Sequence, residues 1–292
     1  MASPGLAVHP RCGKRKEVMA ETSACRDWSE LPLDALASIF GKLGGIEILM
    51  GTGLVCRSWL QAAKVPELWR CVYMARHKVV DELDGDALCA MARVAVDRAA
   101  GQLQVFQGKG FVTDELLKYI GERSPDLKGL VLVSCDGVSN NGFTELVTRC
   151  RLLLDLHLVF CDNVGGRDVY EATGKACAQL KRFRLRKGWS WSLSSTHPSA
   201  GEALGVAAMH ELRSLSLLNT GVTNDELASI LDGCPHLELL DLTDCFNIVV
   251  DDALKARCAG IESLTFPEVD DHEDCWEPLS SRDVDFASDN SD

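Results

Sequence analysis

No stretch of this chain approaches the roughly 18 to 20 consecutive apolar residues of a membrane-spanning helix. The first ten residues, MASPGLAVHP, also lack the apolar run of a secretion signal. Basic charge is short: 30 Lys and Arg stand against 43 Asp and Glu, a formal net charge of −13. Counterion release from phosphates needs a basic face, so the charge argues against a general nucleic-acid or anionic-membrane binder. Catalytic signatures are missing too, with no G-x-S-x-G, no glycine-rich phosphate loop and no H-E-x-x-H. The 13 cysteines contain no C-x-x-C pair, which removes a zinc ribbon or a thioredoxin-like redox site. Their odd number and the missing signal argue against disulfides and fit a reducing cytoplasm or nucleus. Neither a metal nor a cofactor is implied.

What the chain does have is apolar patterning, 46% of 292 residues, enough for one large or two modest domains. Between Trp28 and Trp69 the pattern is helical. Leu36, Ile39, Phe40 and Leu43 recur at i, i+3, i+4 and i+7, with Pro32 placed for a helix start. Cys56, Trp59, Leu60 and Ala63 repeat the spacing, and Pro66 opens a third short turn carrying Leu68 and Trp69. Three brief helices carry more large side chains than they can cover, which predicts a partner. Gly44, Gly45, Gly51 and Gly53 each cost a helix interior about 1 kcal/mol relative to alanine. The middle of the run is therefore predicted to be loop or loosely helical.

From about residue 103 onward a second pattern, L-x-x-L-x-L-x-x-C, takes over. Leu127, Leu130, Leu132 and Cys135 give one copy, and Leu153, Leu156, Leu158 and Cys161 the next. Leu180-Phe183-Leu185, Leu212-Leu215-Leu217, Leu237-Leu240-Leu242-Cys245 and Ile261-Leu264-Phe266 continue it at spacings of 24 to 32 residues. This is the period of leucine-rich repeats. The L-x-L alternation is strand-like, and Phe143, Leu146, Val147, Cys150 and Leu227, Ile230, Leu231, Cys234 have the spacing of return helices. Each unit has an apolar face that only its neighbours can cover, so the units stack. Cys135, Cys150, Cys161, Cys177, Cys234, Cys245 and Cys258 fall at repeat positions that pack, as small buried hydrophobes. The one sharper alternative, a metal at Cys234-Pro-His236, has no second ligand pair.

In a stacked solenoid the outward strand residues line the concave side and form the natural binding surface. Here they include Asp155, His157, Arg182, Arg184, Arg186 and Asp241. The three alternating arginines can grip a carboxylate or phosphate, or form a solvated strand face balanced by Asp155 and Asp241. The longest copy adds a Ser-, Gly- and Pro-containing segment with Trp189 and Trp191, read as a loop that anchors a partner or folds back on the solenoid.

The residues Leu31-Pro32-x-Asp34-x-Leu36, Ile39-Phe40, Leu43, Val55-Cys56-x-x-Trp59 and Leu68-Trp69 resemble the F-box, a helical motif that docks onto a Skp-type adaptor. Together with the cysteine-containing repeats, the chain is similar to plant F-box/LRR proteins of the Skp-interacting-partner type. The resemblance implies an α/β fold, a small N-terminal three-helix F-box followed by a short leucine-rich-repeat solenoid. It also implies a non-catalytic substrate receptor of a ubiquitin ligase. Leu31, Pro32, Leu36, Ile39, Phe40, Leu43, Val55, Cys56 and Trp59 would meet the adaptor, and through it a cullin scaffold. The repeats would hold an unknown protein target. A ligase-independent repeat scaffold, or an enzyme or metal protein without a recognised motif, remains open. The expected organisation is a disordered segment over 1–26, the F-box over 27–72, a helical connector over 73–101 and repeats over 102–267. An acidic disordered tail over 268–292 holds ten acids against Arg282, about −9 of the net −13.

Overall fold

A computed structural model describes residues 28–188 and 201–267. Three short helices come first: α1 (Leu33–Phe40), α2 (Gly45–Met50) and α3 (Arg57–Ala62), followed by a 3-10 turn at Pro66–Trp69. Pro32 immediately precedes α1, and its carbonyl accepts the Leu36 N–H at 3.0 Å. Its missing donor costs nothing at this position. Leu36 and Phe40, one turn apart, point inward with Ile46, Ile48 and Trp69. The glycine-rich middle is more ordered than its composition predicts. Burial of Ile46 and Ile48 holds α2 in place, and Gly45 lets the helix approach Trp69, whose ring would lie 3.3 Å from an added Cβ.

At Cys71 the chain enters a single sheet of eight parallel strands in sequential order. They are β1 (Cys71–Tyr73), β2 (Val105–Lys109), β3 (Gly129–Val133), β4 (Asp155–Val159), β5 (Arg182–Arg186), β6 (Ser214–Leu218), β7 (Leu239–Asp241) and β8 (Ser263–Thr265). Return segments α4 (Gly85–Arg98), α5 (Asp114–Arg123), α6 (Asn140–Arg149), α7 (Arg167–Ala176), a 3-10 turn at Ala203–Ala208, α8 (Asn224–Gly233) and α9 (Asp252–Arg257) alternate with them. The sheet thus begins earlier than the repeat pattern indicates. Residues 73–101, expected to be a connector, contain the end of β1 and the first return helix. Three residues of strand are too few to show an alternation, which is why β1 was not legible. One continuous core runs from Leu36 to Cys258, through Trp69, Ala92, Leu130, Leu156, Phe183 and Leu240.

Short polar side chains cap four of the return helices. Thr113, Ser139, Thr223 and Asp251 cap α5, α6, α8 and α9, each accepting the amide three residues on. Thr223 and Glu226 complete a capping box. Neighbouring units are stitched by asparagines: Asn140 exchanges two hydrogen bonds with Gly165, and Asn224 two with Val249. The cysteines act similarly. The Cys161 thiol reaches the Leu132 carbonyl at 3.5 Å, Cys177 that of Val147 at 3.6 Å and Cys245 that of Leu217 at 2.9 Å, each one repeat back. All seven repeat cysteines are buried, as their positions in the pattern predict.

Where α7 would need a cap, Gly166 stands at φ +98 and offers none. Glu202, from the far side of the long insertion, accepts the Gly166 N–H at 3.1 Å and pairs with the fully buried Lys187 at 3.2 Å. Tyr170 also donates to it at 3.3 Å, and burial together with Glu202 raises the phenol well above its ordinary value. The 3-10 turn that follows packs closely on α7: a Cβ on Gly205 would lie 2.3 Å from the Arg167 carbonyl oxygen. Gly205→Ala is therefore expected to lower stability by about 1–3 kcal/mol, the usual range for overpacking a rigid contact. Urea unfolding followed by circular dichroism tests this, and an unchanged midpoint would show that the turn can move away.

Candidate docking faces

Two surfaces stand out, at opposite ends of the chemistry. The first is apolar. Of twelve large hydrophobic side chains exposed among the described residues, seven lie between residues 28 and 55: Trp28, Leu33, Ile39, Leu43, Met50, Leu54 and Val55. Leu54 and Val55 are the most open, at 74% and 62%. Monomers rarely leave a large apolar patch uncovered, and this short segment holds more than half of the exposed large hydrophobics. The scaffold beneath it is fixed. Trp59 packs edge-on against Phe40 at 5.4 Å and donates its indole N–H to the Trp28 carbonyl at 3.1 Å, while Ser58 donates to Ser29 at 2.9 Å.

The second is the sheet face turned away from the helices, where Gln107, Val131, Val133, His157, Val159 and Ser216 are buried and the β5 arginines are the more open groups. Register aligns its side chains in rows across the strands. One row runs Tyr73, Gln107, Val131, His157, Arg184, Ser216, Asp241 and Thr265, and a second runs Lys109, Val133, Val159, Arg186 and Leu218. A third places Asp155 beside Arg182 and Ser214. The buried Asp155 carboxylate is shared, with one oxygen 2.9 Å from His157 Nε2 and the other hydrogen-bonded to Arg182 Nε. Arg186 lies over the Phe160 ring at 5.3 Å. Asp241, by contrast, accepts hydrogen bonds from the Thr243 amide and hydroxyl.

Residues 28–75 match the F-box-like family model. Among curated proteins of Arabidopsis thaliana, F-box protein SKIP19 is 35% identical over 242 residues, 82% of this chain and 76% of that one. Putative F-box/LRR-repeat protein 22 is 35% identical over 260 residues, 88% and 80% of the two chains. The chain belongs to the F-box/LRR-repeat family. Another relative, putative F-box/LRR-repeat protein 23, is 36% identical over 84% of this chain, which spans only 54% of that longer protein. The yeast Rad7 and Elc1 complex overlaps at a TM-score of 0.36 and 14% identity, covering 70% of this chain and 60% of that one, too distant to add more.

In this F-box/LRR-repeat protein the residues expected to meet an adaptor divide into three groups. Pro32, Ile39, Leu43 and Val55 are exposed, and Leu31, Cys56 and Trp59 are half-buried. Leu36 and Phe40, at 1% and 0%, belong to the F-box's own core and support the face from behind. That corrects the single-stripe reading, because one turn of α1 must cover α2 and α3 before any partner arrives. Leu33, Met50 and Leu54 complete the outer face instead. For Leu33 the signal was its place in α1 with Ile39, outside the inward pair of Leu36 and Phe40; Met50 and Leu54 belong to no such pattern.

The repeat residues divide as well. Arg182 is engaged by Asp155, while Asp241 turns to Thr243 and does not balance the arginines. Trp189 and Trp191 lie outside the described residues. No group of three or more metal-ligating side chains converges among the described residues, and Cys234 packs inward while His236 is exposed. Burial pushes the Cys150 thiol up to about 11 and those of Cys177 and Cys234 to about 12, so at neutral pH these three are thiols and poor nucleophiles.

Proposed function

We propose that this chain is the substrate-recognition subunit of a Skp/cullin/F-box-type ubiquitin ligase. The observation that carries the reading is the apolar face between Trp28 and Val55, on the segment that matches the F-box family, held in shape by Trp59 and Phe40. Family membership supports a substrate-adaptor role of this general kind. The exposed leucines would seat on a Skp-type adaptor, which joins a cullin, and the concave sheet face would hold the target. The chain itself makes no bond. Its contribution is to raise the effective concentration of target lysines near a charged conjugating enzyme.

Reconstitution tests this. The chain mixed with a Skp-type adaptor, cullin and RING subunit is expected to promote ubiquitylation of a protein captured by the repeats. A chain whose F-box face is blunted should still capture that protein but leave it unmodified. Capture without any adaptor-dependent modification would point to a repeat scaffold outside the ligase.

A further inference from the structure

We propose that the rim where the strands begin, from Arg70 to Arg213, is a docking strip for an acidic segment of a partner protein in polyproline II conformation, with a carboxylate at every third residue.

Charge along the rim is the first argument. Because the strands are parallel and in sequential order, they all start on one edge of the sheet. The residue before the strand is Arg70 at β1, Lys128 at β3, Lys181 at β5 and Arg213 at β6, with Gln104 and Leu154 between them at β2 and β4. No acid interrupts this row, in a chain whose net charge is −13. Glu238 and Glu262, before β7 and β8, then reverse its sign, and Glu238 holds Arg213. Lys128 and Lys181 are exposed and make no ion pair or side-chain hydrogen bond among the described residues.

Spacing is the second. Main-chain hydrogen bonds lock the row in place: the Lys128 amide donates to the Gln104 carbonyl at 2.7 Å, that of Leu154 to Lys128 at 2.8 Å and that of Lys181 to Leu154 at 2.9 Å. Arg70, Lys128 and Lys181 therefore stand on alternate strands, about 9.6 Å apart at roughly 4.8 Å per strand. A polyproline II helix turns once in three residues of about 3.1 Å each, so positions i and i+3 share a face about 9.3 Å apart. A segment in β conformation would send the same two positions to opposite faces. Exposed ion pairs are individually weak, so several must form in register for the strip to hold anything.

The third is a built cleft. Beside β1 to β4 the rim opens into a cavity of about 390 Å³ lined by Arg70, Gln102, Gln104, Asp126, Lys128 and Leu152. Arg70 donates to Gln102 Oε1 from both Nε and Nη2, each at 3.3 Å, which fixes that amide. The peptide groups of a polyproline II segment have no internal hydrogen bonds, so the two glutamine amides can serve them. Leu152, 41% exposed, offers an apolar contact to a proline ring. Asp126, in the same cleft, repels a carboxylate that falls out of step.

Fluorescence anisotropy with a labelled Glu-Pro-Pro repeat peptide and the full chain tests the strip. This peptide is expected to bind about ten-fold or more tightly than one of the same composition with its glutamates grouped at one end. K128S/K181S should weaken binding about ten-fold or more. K118S/K175S, which removes the same charge from exposed positions on α5 and α7, should leave it within about two-fold. Circular dichroism should show both variants folded, and salt near 0.5 M, where the Debye length falls below about 5 Å, should weaken the contact. Absence of binding, equal affinity for the grouped peptide, or equal loss in the two variants would overturn the proposal. Tighter binding of a single-stranded oligonucleotide of equal charge would overturn it too and give the rim to nucleic acid. The F-box face takes no part in this measurement, so the strip and the ligase reading stand or fall separately.

Discussion

Replacing Leu54 and Val55 together with serine is expected to weaken adaptor binding by about 100-fold or more. Each is more than 60% exposed in this chain, and full burial of such a side chain against a partner is worth roughly 1.5–3 kcal/mol. Two of them contribute about 3–6 kcal/mol, and every 1.4 kcal/mol is a factor of ten. Because neither side chain supports the core, the melting temperature should stay within a degree or two of the unaltered chain, as surface substitutions usually cost under about 0.5 kcal/mol. Calorimetric titration with a purified Skp-type adaptor reads the first quantity, and differential scanning calorimetry the second. Undiminished affinity would remove the outer face from the interface. Leu36→Ala is the informative contrast, since its buried side chain should cost about 2–5 kcal/mol of folding stability before docking is considered.

Trp69→Ala should be the most damaging single change in the F-box region, with a loss of about 3–5 kcal/mol. The indole is fully buried, donates to the Ala63 carbonyl at 2.9 Å and lies under the Arg98 guanidinium at 5.1 Å. Arg98 belongs to α4 and also reaches the Ala63 carbonyl, at 3.4 Å. Trp69 therefore joins the three-helix segment to the first return helix of the solenoid. Its removal opens that joint, and exchange protection should fall in α1 to α3 while β4 to β6 retain theirs. Trp69→Phe keeps most of the volume and loses one hydrogen bond, so it should cost closer to 1–2 kcal/mol. A fall of less than about 1 kcal/mol in Trp69→Ala, read by urea unfolding, would show that the joint lies elsewhere.

Much of this architecture is legible in the sequence because repetition amplifies weak signals. The L-x-L spacing recurs often enough that β3 to β8 follow from it, and Cys135, Cys161 and Cys245 mark the ends of their strands. Single-copy features are harder to read. β1 has three residues and no alternation, and α2 carries glycines whose local cost is offset only by Ile46, Ile48 and Trp69, contacts that no propensity contains. The division of α1 into an inward pair, Leu36 and Phe40, and an outward pair, Leu33 and Ile39, depends on where α3 lies, which is tertiary information. On the concave face, alternation correctly turned Asp155, His157 and the three arginines to one side. Partner choice was not legible there, because cross-strand neighbours are fixed by register: β4 and β5 align Asp155 with Arg182, and Asp241 is three strands from Asp155.

The unbroken core from Leu36 to Cys258 also makes the molecule a ruler. Among the described residues the core is continuous from the apolar face to the sheet, so a protein held at β5 would have a set distance and bearing from anything bound at Leu54. Lysines on that protein would be sampled within a narrow shell, and selection among them would depend on geometry as much as on sequence. Removing one repeat between β1 and β5 would shorten the ruler by one strand spacing, about 4.8 Å, and turn it by one step of twist. The modified lysine should change even while both binding affinities hold.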